Sequence, residues 1–313
     1  MTVEEVLDLS NVEFDPSITF DCGQAFRWRP VNEDRTEWVG VVGTSVIKVT
    51  RSHVKRLAGS DNANEIEAYL KNYFSVSDDL EMIKRSFPQD QFLKGAVIQY
   101  RGLRLLTQDP WECLISFVCS INCNIPSIKL KIENLSRRFG TEIKVGSQSV
   151  LYTFPTPHSL AKAEKRELME CKTGFRWKYI KFLAERVSSG ELDLEGLRTM
   201  TYEKATNYLI SNKSQKTLGI GPKVADCILL YSYHKLEAFP IDVWINRCIK
   251  KLYLDTFRIE DWKSLTGKRY SETSSMLRRH FGSYAGYAQQ YLFVRFRGDS
   301  IHSKNKAGLK GSV

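Results

Sequence analysis

A lysine and an aspartate, each set at the start of an apolar run, carry the chemistry this sequence offers. Lys223 follows Gly219-Ile220-Gly221-Pro222 and precedes VADCILL. Glycine enters positive φ at no steric cost, so the two glycines suit a tight turn, and Pro222 fits the first turn of a helix. A lysine there meets the positive end of the helix dipole. That is a poor place for an ammonium but a good one for an amine that must lose its proton to act as a nucleophile. Its reference pKa near ~10.4 leaves few neutral molecules at pH 7, so burial and the helix end have to lower it. Asp242 follows Pro240 and Ile241 and precedes a helix read through Val243, Ile245 and Ile249. An aspartate before such a run is an N-cap; held there it stays ionised and can stabilise positive charge developing nearby. Both positions also have a structural reading. Asp242 is then a cap alone, and Lys223 snorkels at the end of a core stripe of Cys227 and Tyr231, which counting in fours puts on its face.

The Gly219–Gly221 turn also offers successive backbone N–H groups at a helix start, a seat for phosphate that needs no side chain. The GxxxxGK[ST] and GxGxxG patterns of nucleotide-binding loops are absent from the sequence. A DNA phosphate fits the charge better: 46 Lys and Arg against 36 Asp and Glu leave +10, with a pI near 9.2, a balance that favours a polyanion. No run approaches the ~18 apolar residues of a spanning helix, and MTVEEVLDLS lacks the parts of a secretory leader, so no membrane attachment is expected. The seven cysteines form no CxxC pair. Neither zinc nor a disulfide framework is signalled, and an intracellular, reducing compartment is expected: the nucleus in a eukaryote, the cytoplasm or nucleoid in a prokaryote.

The elements that must position these residues fall into two parts, as the length of 313 residues allows. Residues 1–100 read as strand-rich. FDCGQAFRWRP and EWVGVVGTSVIKVT have aromatic and β-branched content with partial alternation, and ANEIEAYLKNYF follows with helical spacing. Residues 101–298 read as helix after helix. Asp109-Pro110 starts WECLISFVCSI, which stops at Asn122-Cys123-Asn124, and another helix runs from Pro126 to Arg138. TPHSLAKAEKRELMEC, GFRWKYIKFLAERVSSG, TYEKATNYLIS and SYAGYAQQYLFVRF add further helices. Residues 299–313 read as a basic, disordered tail. The expected fold class is α+β, an N-terminal antiparallel sheet domain with flanking helices followed by a mostly helical region.

TLGIGPKVADCILL with AFPIDVW resembles the helix-hairpin-helix and following aspartate loop of DNA base-excision glycosylases, and more narrowly the 8-oxoguanine DNA glycosylase family. CGQAFRW resembles that family's strand entering the base pocket, SINCNIPSI its strand-separating turn, TGFRWKYI its glycine–aromatic–arginine helix start, and YAGYAQQYLF its last helix. These stand in family order over residues 14–296. The resemblance implies a bifunctional glycosylase and abasic-site lyase that flips 8-oxoguanine out of double-stranded DNA, working as a monomer through a lysine Schiff base and β-elimination. Carried over, Lys223 is the nucleophile and Asp242 its partner carboxylate. Gly23 offers a carbonyl to the N7–H that marks the oxidised base; Gln289 takes that base's Watson–Crick edge and Phe293 its face. Pro240 and Cys227 complete the pocket walls. Asn122 enters the space left in the duplex, Arg176 contacts the orphaned cytosine, and Gly219 and Gly221 meet phosphate. No metal is implied for the chemistry and no iron–sulphur cluster, only a structural monovalent cation on hairpin carbonyls. The i, i+4 spacing of Gln289 and Phe293 independently puts both on one helix side. Taken singly, Gly23 is also a bulge glycine, Phe293 a core aromatic, Asn122 a helix C-cap and Arg176 a solvated edge residue.

The sequence departs from the family in places. Trp244 stands where a histidine is frequent, Tyr231 lies below Cys227, and Ser127 stands where better-known members place a second cytosine-contacting arginine. A bidentate arginine contact is worth ~1–3 kcal/mol of base discrimination, so a relaxed opposite-base preference is expected. Iron–sulphur relatives normally carry four cysteines after the catalytic domain, whereas none follows Cys248, and alkylbase glycosylases typically lack the hairpin lysine. A non-catalytic module that uses the hairpin for phosphates alone is the reading from another class.

Overall fold

The computed structural model describes residues 3–59, 63–147, 149–210, 218–257, 265 and 267–310. Strand β1 (Glu4–Asp8) leads to helix α1 (Pro16–Asp21), capped by Asp15, which accepts the Ser17 and Ile18 N–H groups. Strands β2 (Arg29–Pro30), β3 (Trp38–Val42), β4 (Ser45–Val49) and β5 (His53–Ala58) then build one antiparallel sheet in the order β1-β5-β4-β3-β2. Every residue of β3 is buried, because both faces of the sheet are covered. On one side α1 and α2 (Ala63–Tyr73) enclose an aromatic cluster in which Phe20 stacks on Trp28 at 4.1 Å. FDCGQAFRW, expected as strand, is the end of α1 and a loop, and only Arg29–Pro30 pairs in the sheet.

Helices α3 (Leu80–Arg85) and α4 (Gln91–Gln99) come before residue 100, yet Leu80, Ile83, Leu93 and Ala96 belong to the core of the helical body. Packing therefore places these helices with the second part, not with the sheet. Helix α5 (Pro110–Cys119) is buried at every position but Glu112, which pairs with Arg27, and it runs through that core. Helix α6 (Ile125–Phe139) starts on Asn124, whose side chain accepts the Ser127 N–H. Strands β6 (Glu142–Val145) and β7 (Ser149–Tyr152) form a hairpin that sequence analysis did not foresee. Leu151, Ile143 and Val145 lie on Val39, Val41 and Val46 and so cover the second face of the sheet.

TPHSLAKAEKRELMEC, expected as one helix, is two: α7 (Pro157–Lys162) and α8 (Lys165–Glu170). Glu164 and Glu167 form a capping box that starts the second afresh. Helix α9 (Trp177–Ser188) follows a short 3₁₀ turn, and α10 (Tyr202–Ile210) and α11 (Pro222–Tyr233) are the two helices of the hairpin. Beyond them come α12 (Val243–Leu252), α13 (Leu254–Phe257), α14 (Gly267–Phe281) and α15 (Ala285–Lys310). The helical backbone of α15 continues past 298, where the sequence reading sets a disordered tail; its packed first turns supply the nucleus that later residues extend. No helix among the described residues is long and apolar enough to cross a membrane.

Candidate active site

Gly219 adopts φ +93°, and a Cβ there would stand 2.8 Å from Cβ and Cγ of Tyr179, so the turn rests directly on α9. Gly221 is the N-cap of α11, makes no side-chain cap and has nothing within 4 Å of where its Cβ would be. No side chain caps the start of α11, so its first N–H groups are left for another acceptor, as a phosphate seat requires. Much of the hairpin loop is 211–217, so the monovalent-cation site implied there lies largely outside the described residues. Lys223, in the first turn of α11, is half-buried and points inward. Its Nζ donates to Ser120 Oγ at 3.1 Å and lies 4.8 Å from the centre of the Phe117 ring. Phe117 in turn stacks on Tyr231, with centroids 5.4 Å apart. Cys227, 2% exposed, completes the stripe, and burial pushes its thiol up to about 12 against the pull of Lys223.

Asp242 caps α12 by accepting the Ile245 N–H at 2.8 Å. Burial raises its pKa above the ordinary aspartate value, while the cap, Lys223 and Arg297 pull it back down. The cap favours the ionised form, as the sequence reading has it, but desolvation is the larger influence and acts the other way. Val243 is 64% exposed, so the buried stripe of α12 runs through Ile245, Cys248 and Ile249 instead. A second carboxyl fixes the distance between the two helices. Asp226 is 1% exposed and accepts from Tyr202 Oη at 2.5 Å and Tyr270 Oη at 2.7 Å. Tyr270 Oη also accepts the Ile241 N–H at 3.1 Å, which ties the loop before Asp242 to the helix bearing Lys223.

Across from this pair, Gly23 has φ +80°, and a Cβ there would lie 3.1 Å from Ile125 Cδ1 and 3.5 Å from two atoms of the Phe293 ring. The glycine is needed for its backbone angle and for the ring seated against it. Phe293 is 7% exposed and Gln289 3%, both on α15, and Pro240 is buried too. Gln289 Oε1 is buried with no hydrogen-bond partner among the described residues. An orphaned buried amide oxygen is costly, and a ligand's donor would satisfy it.

The turn after α5 is the outward part. Helix α5 has Ser120 as its C-cap, and Asn122 lies beyond it, exposed, with φ +47°. Arg176 is neither solvated nor presented outward. At 6% exposure it donates to the Ile121 carbonyl through Nε (2.9 Å) and Nη2, and to the Asn122 carbonyl at 3.1 Å. In this structure its guanidinium holds the turn that carries Asn122. Its neighbour Phe175 is 48% exposed, with the guanidinium 4.5 Å from its ring centre.

Comparison with known proteins matches residues 6–114 to the 8-oxoguanine DNA glycosylase N-terminal domain and residues 115–263 to the HhH-GPD superfamily of base excision DNA repair proteins. A probable N-glycosylase/DNA lyase of Methanothermobacter thermautotrophicus is 32% identical over 75% of this chain and 76% of its own length. The chain belongs to the 8-oxoguanine DNA glycosylase family. The N-glycosylase/DNA lyase of Saccharomyces cerevisiae is 30% identical over 80% of this chain and 71% of its own. The Clostridium acetobutylicum 8-oxoguanine glycosylase/lyase, solved with double-stranded DNA containing cytosine opposite 8-oxoguanine, is 34% identical. It superposes with a TM-score of 0.82 over 96% of this chain and 99% of its own. Against that 8-oxoguanine glycosylase frame, Lys223, Asp242 and Cys227 converge from α11 and α12, and Gly23, Gln289 and Phe293 from the loop after α1 and from α15. Sequence analysis did not pick out Ser120, Phe117, Asp226, Tyr270, Phe175, Gln108 or Gln290. Of these, only the aromatic before Arg176 left a local trace, in the glycine–aromatic–arginine pattern.

Proposed function

We propose that Lys223 and Asp242 release 8-oxoguanine from double-stranded DNA and then nick the strand, the glycosylase and abasic-site lyase activities of this family. The chemistry needs an extruded nucleotide, because C1′ is out of reach within a stacked duplex. Asn122 on its exposed turn, with exposed Phe175 beside Arg176, would serve as the wedge, and the start of α11 would take a backbone phosphate. Neutral Lys223 Nζ attacks C1′, the glycosidic bond breaks, and the base leaves with the electron pair. The sugar ring opens to an imine on Nζ; loss of the C2′ proton then expels the 3′ phosphate. Asp242, when ionised, offsets the positive charge that grows on the sugar as the bond breaks. Gly23, Gln289 and Phe293 hold the base, with Pro240 and Cys227 behind it.

The observation that carries this reading is the approach of two helix starts at one half-buried place. Lys223 is aimed inward there, and its charge acts on the Asp242 carboxyl. Borohydride trapping on a duplex with one 8-oxoguanine tests it. Wild type forms a covalent adduct and Lys223→Gln does not. No adduct from either protein would leave a DNA-binding module without chemistry.

A further inference from the structure

We propose that Gln290 and Tyr231 hold the loop at residues 22–24 so that the Gly23 carbonyl, and not an N–H, faces a bound purine. That makes them positioning residues for telling 8-oxoguanine from guanine, an inference that rests on the role given to Gly23 above. The two bases differ at N7: guanine offers a lone pair, the oxidised base an N–H. A glycine at φ +80° can rotate its peptide with little steric resistance. If the Gly23–Gln24 peptide flips, the carbonyl is replaced by the Gln24 N–H, which suits guanine N7. Selectivity therefore needs the flip to be blocked from both sides.

A closed ring of buried hydrogen bonds does this. Gln290 Nε2 donates to the Cys22 carbonyl at 2.8 Å, and Gln290 Oε1 accepts from Tyr231 Oη at 2.5 Å. The Tyr231 carbonyl accepts the Gln108 N–H at 2.7 Å, and Gln108 Nε2 donates to the Gln24 carbonyl at 2.8 Å. The Gln24 side chain is fixed in addition, accepting the Leu106 N–H and donating to the Arg104 carbonyl, each at 2.8 Å. Gln24, Gln108, Gln290 and Tyr231 are all 5% exposed or less. The carbonyls on either side of Gly23 are thus engaged, while that of Gly23 accepts no hydrogen bond among the described residues. The neighbours Gln289 and Gln290 divide the work on α15, one turned to the pocket and one to the loop that frames it.

The experiment uses two full-length variants that keep the packing: Tyr231→Phe, which retains the ring stacked on Phe117, and Gln290→Met. Single-turnover release is measured for 8-oxoguanine and for its 7-deaza analogue, which has carbon in place of N7 and so no N–H donor there, both opposite cytosine. Wild type prefers 8-oxoguanine, and each variant lowers that preference by roughly tenfold, the size of one well-placed hydrogen bond. The double variant falls no further than the worse single, since both break one ring. A general folding defect slows both substrates together and leaves their ratio unchanged, and an unchanged ratio overturns the proposal. If wild type itself releases both bases equally fast, the role assigned to the Gly23 carbonyl fails instead.

Discussion

Around Gly23 the polar groups are matched by other buried groups: Gln24, Gln108, Gln290 and Tyr231 are tied to backbone or to each other. Around the nucleophile the holding is sparser. Among the described residues Lys223 Nζ leans on the Ser120 hydroxyl and the Cys227 thiol, and the Asp242 side chain on N–H groups of its own helix start. Their common frame lies a layer deeper, at Asp226, Tyr202 and Tyr270. The contrast follows from what each wall must do. Reading a base asks for donors and acceptors that stay put, whereas an amine and a carboxyl that change protonation are impeded by strong permanent partners.

Removing the nucleophile gives the largest effect and isolates one wall from the other. Lys223→Gln is expected to slow base release at least about a thousandfold, while gel-shift affinity for an 8-oxoguanine duplex stays within roughly threefold, since phosphate and base contacts dominate it. A comparable loss of binding would mean that the walls are not separable.

Asp242→Asn comes next, with release slowed about a hundredfold or more. Asparagine caps a helix as well as aspartate, so charge is what is lost. Burial raises the carboxyl's pKa above 3.8, so the wild-type rate falls on the acid side with an apparent pKa above that value, and the limb is missing in the variant. For stability the sign is set by the same shift. The folded pKa exceeds the unfolded one, so the contribution is full below the unfolded value and lost as pH rises through the folded one. Asp242→Asn therefore melts at or above the wild-type temperature at pH 7 and loses that advantage near pH 3.5. A clearly lower melting temperature at pH 7 would show that attraction to Lys223 outweighs burial.

Tyr270→Phe probes the deeper frame. It strands the Ile241 N–H and one bond to buried Asp226, at a cost of about 1–3 kcal/mol. A lower melting temperature is expected, with release slowed by roughly tenfold as the loop before Asp242 loosens; slower release with no change in thermal stability would contradict the coupling. The smallest change is at the DNA face. With Ser127 in place and Arg176 turned inward, excision opposite cytosine and opposite adenine should proceed at nearly equal rates. Ser127→Arg should add roughly a tenfold cytosine preference. A hundredfold cytosine preference in the wild type would refute the relaxed reading.

The same contrast decides what the sequence shows. The reacting wall is local: Gly219, Pro222, Lys223 and the Asp242 cap announce themselves within a few residues, because turns and helix starts have short-range chemistry. The family resemblance supplied Gly23, Gln289 and Phe293, and their meeting is seen only in the fold. Gln108, Gln290 and Tyr270 act through bonds to distant backbone, which leaves no spacing to read. The β6–β7 hairpin had a legible signal, the alternation of Glu142-Ile143-Lys144-Val145 before a glycine turn, but it interrupts a run of helices. Helix α14 hid its stripe of Tyr270, Thr273, Ser274, Leu277 and Phe281 among small polar residues. The upward pull on the Asp242 pKa could not be read from its cap position, since depth of burial is a tertiary property.

The Gln290 clasp on Cys22 joins positions 268 residues apart. Ties of such span form only after most of the intervening polypeptide is in place. A chain cut between α12 and α15 would keep the amine and its carboxyl yet lose the means to choose a nucleobase. Proteolytic damage there would therefore part base recognition from the reacting pair in a single cut.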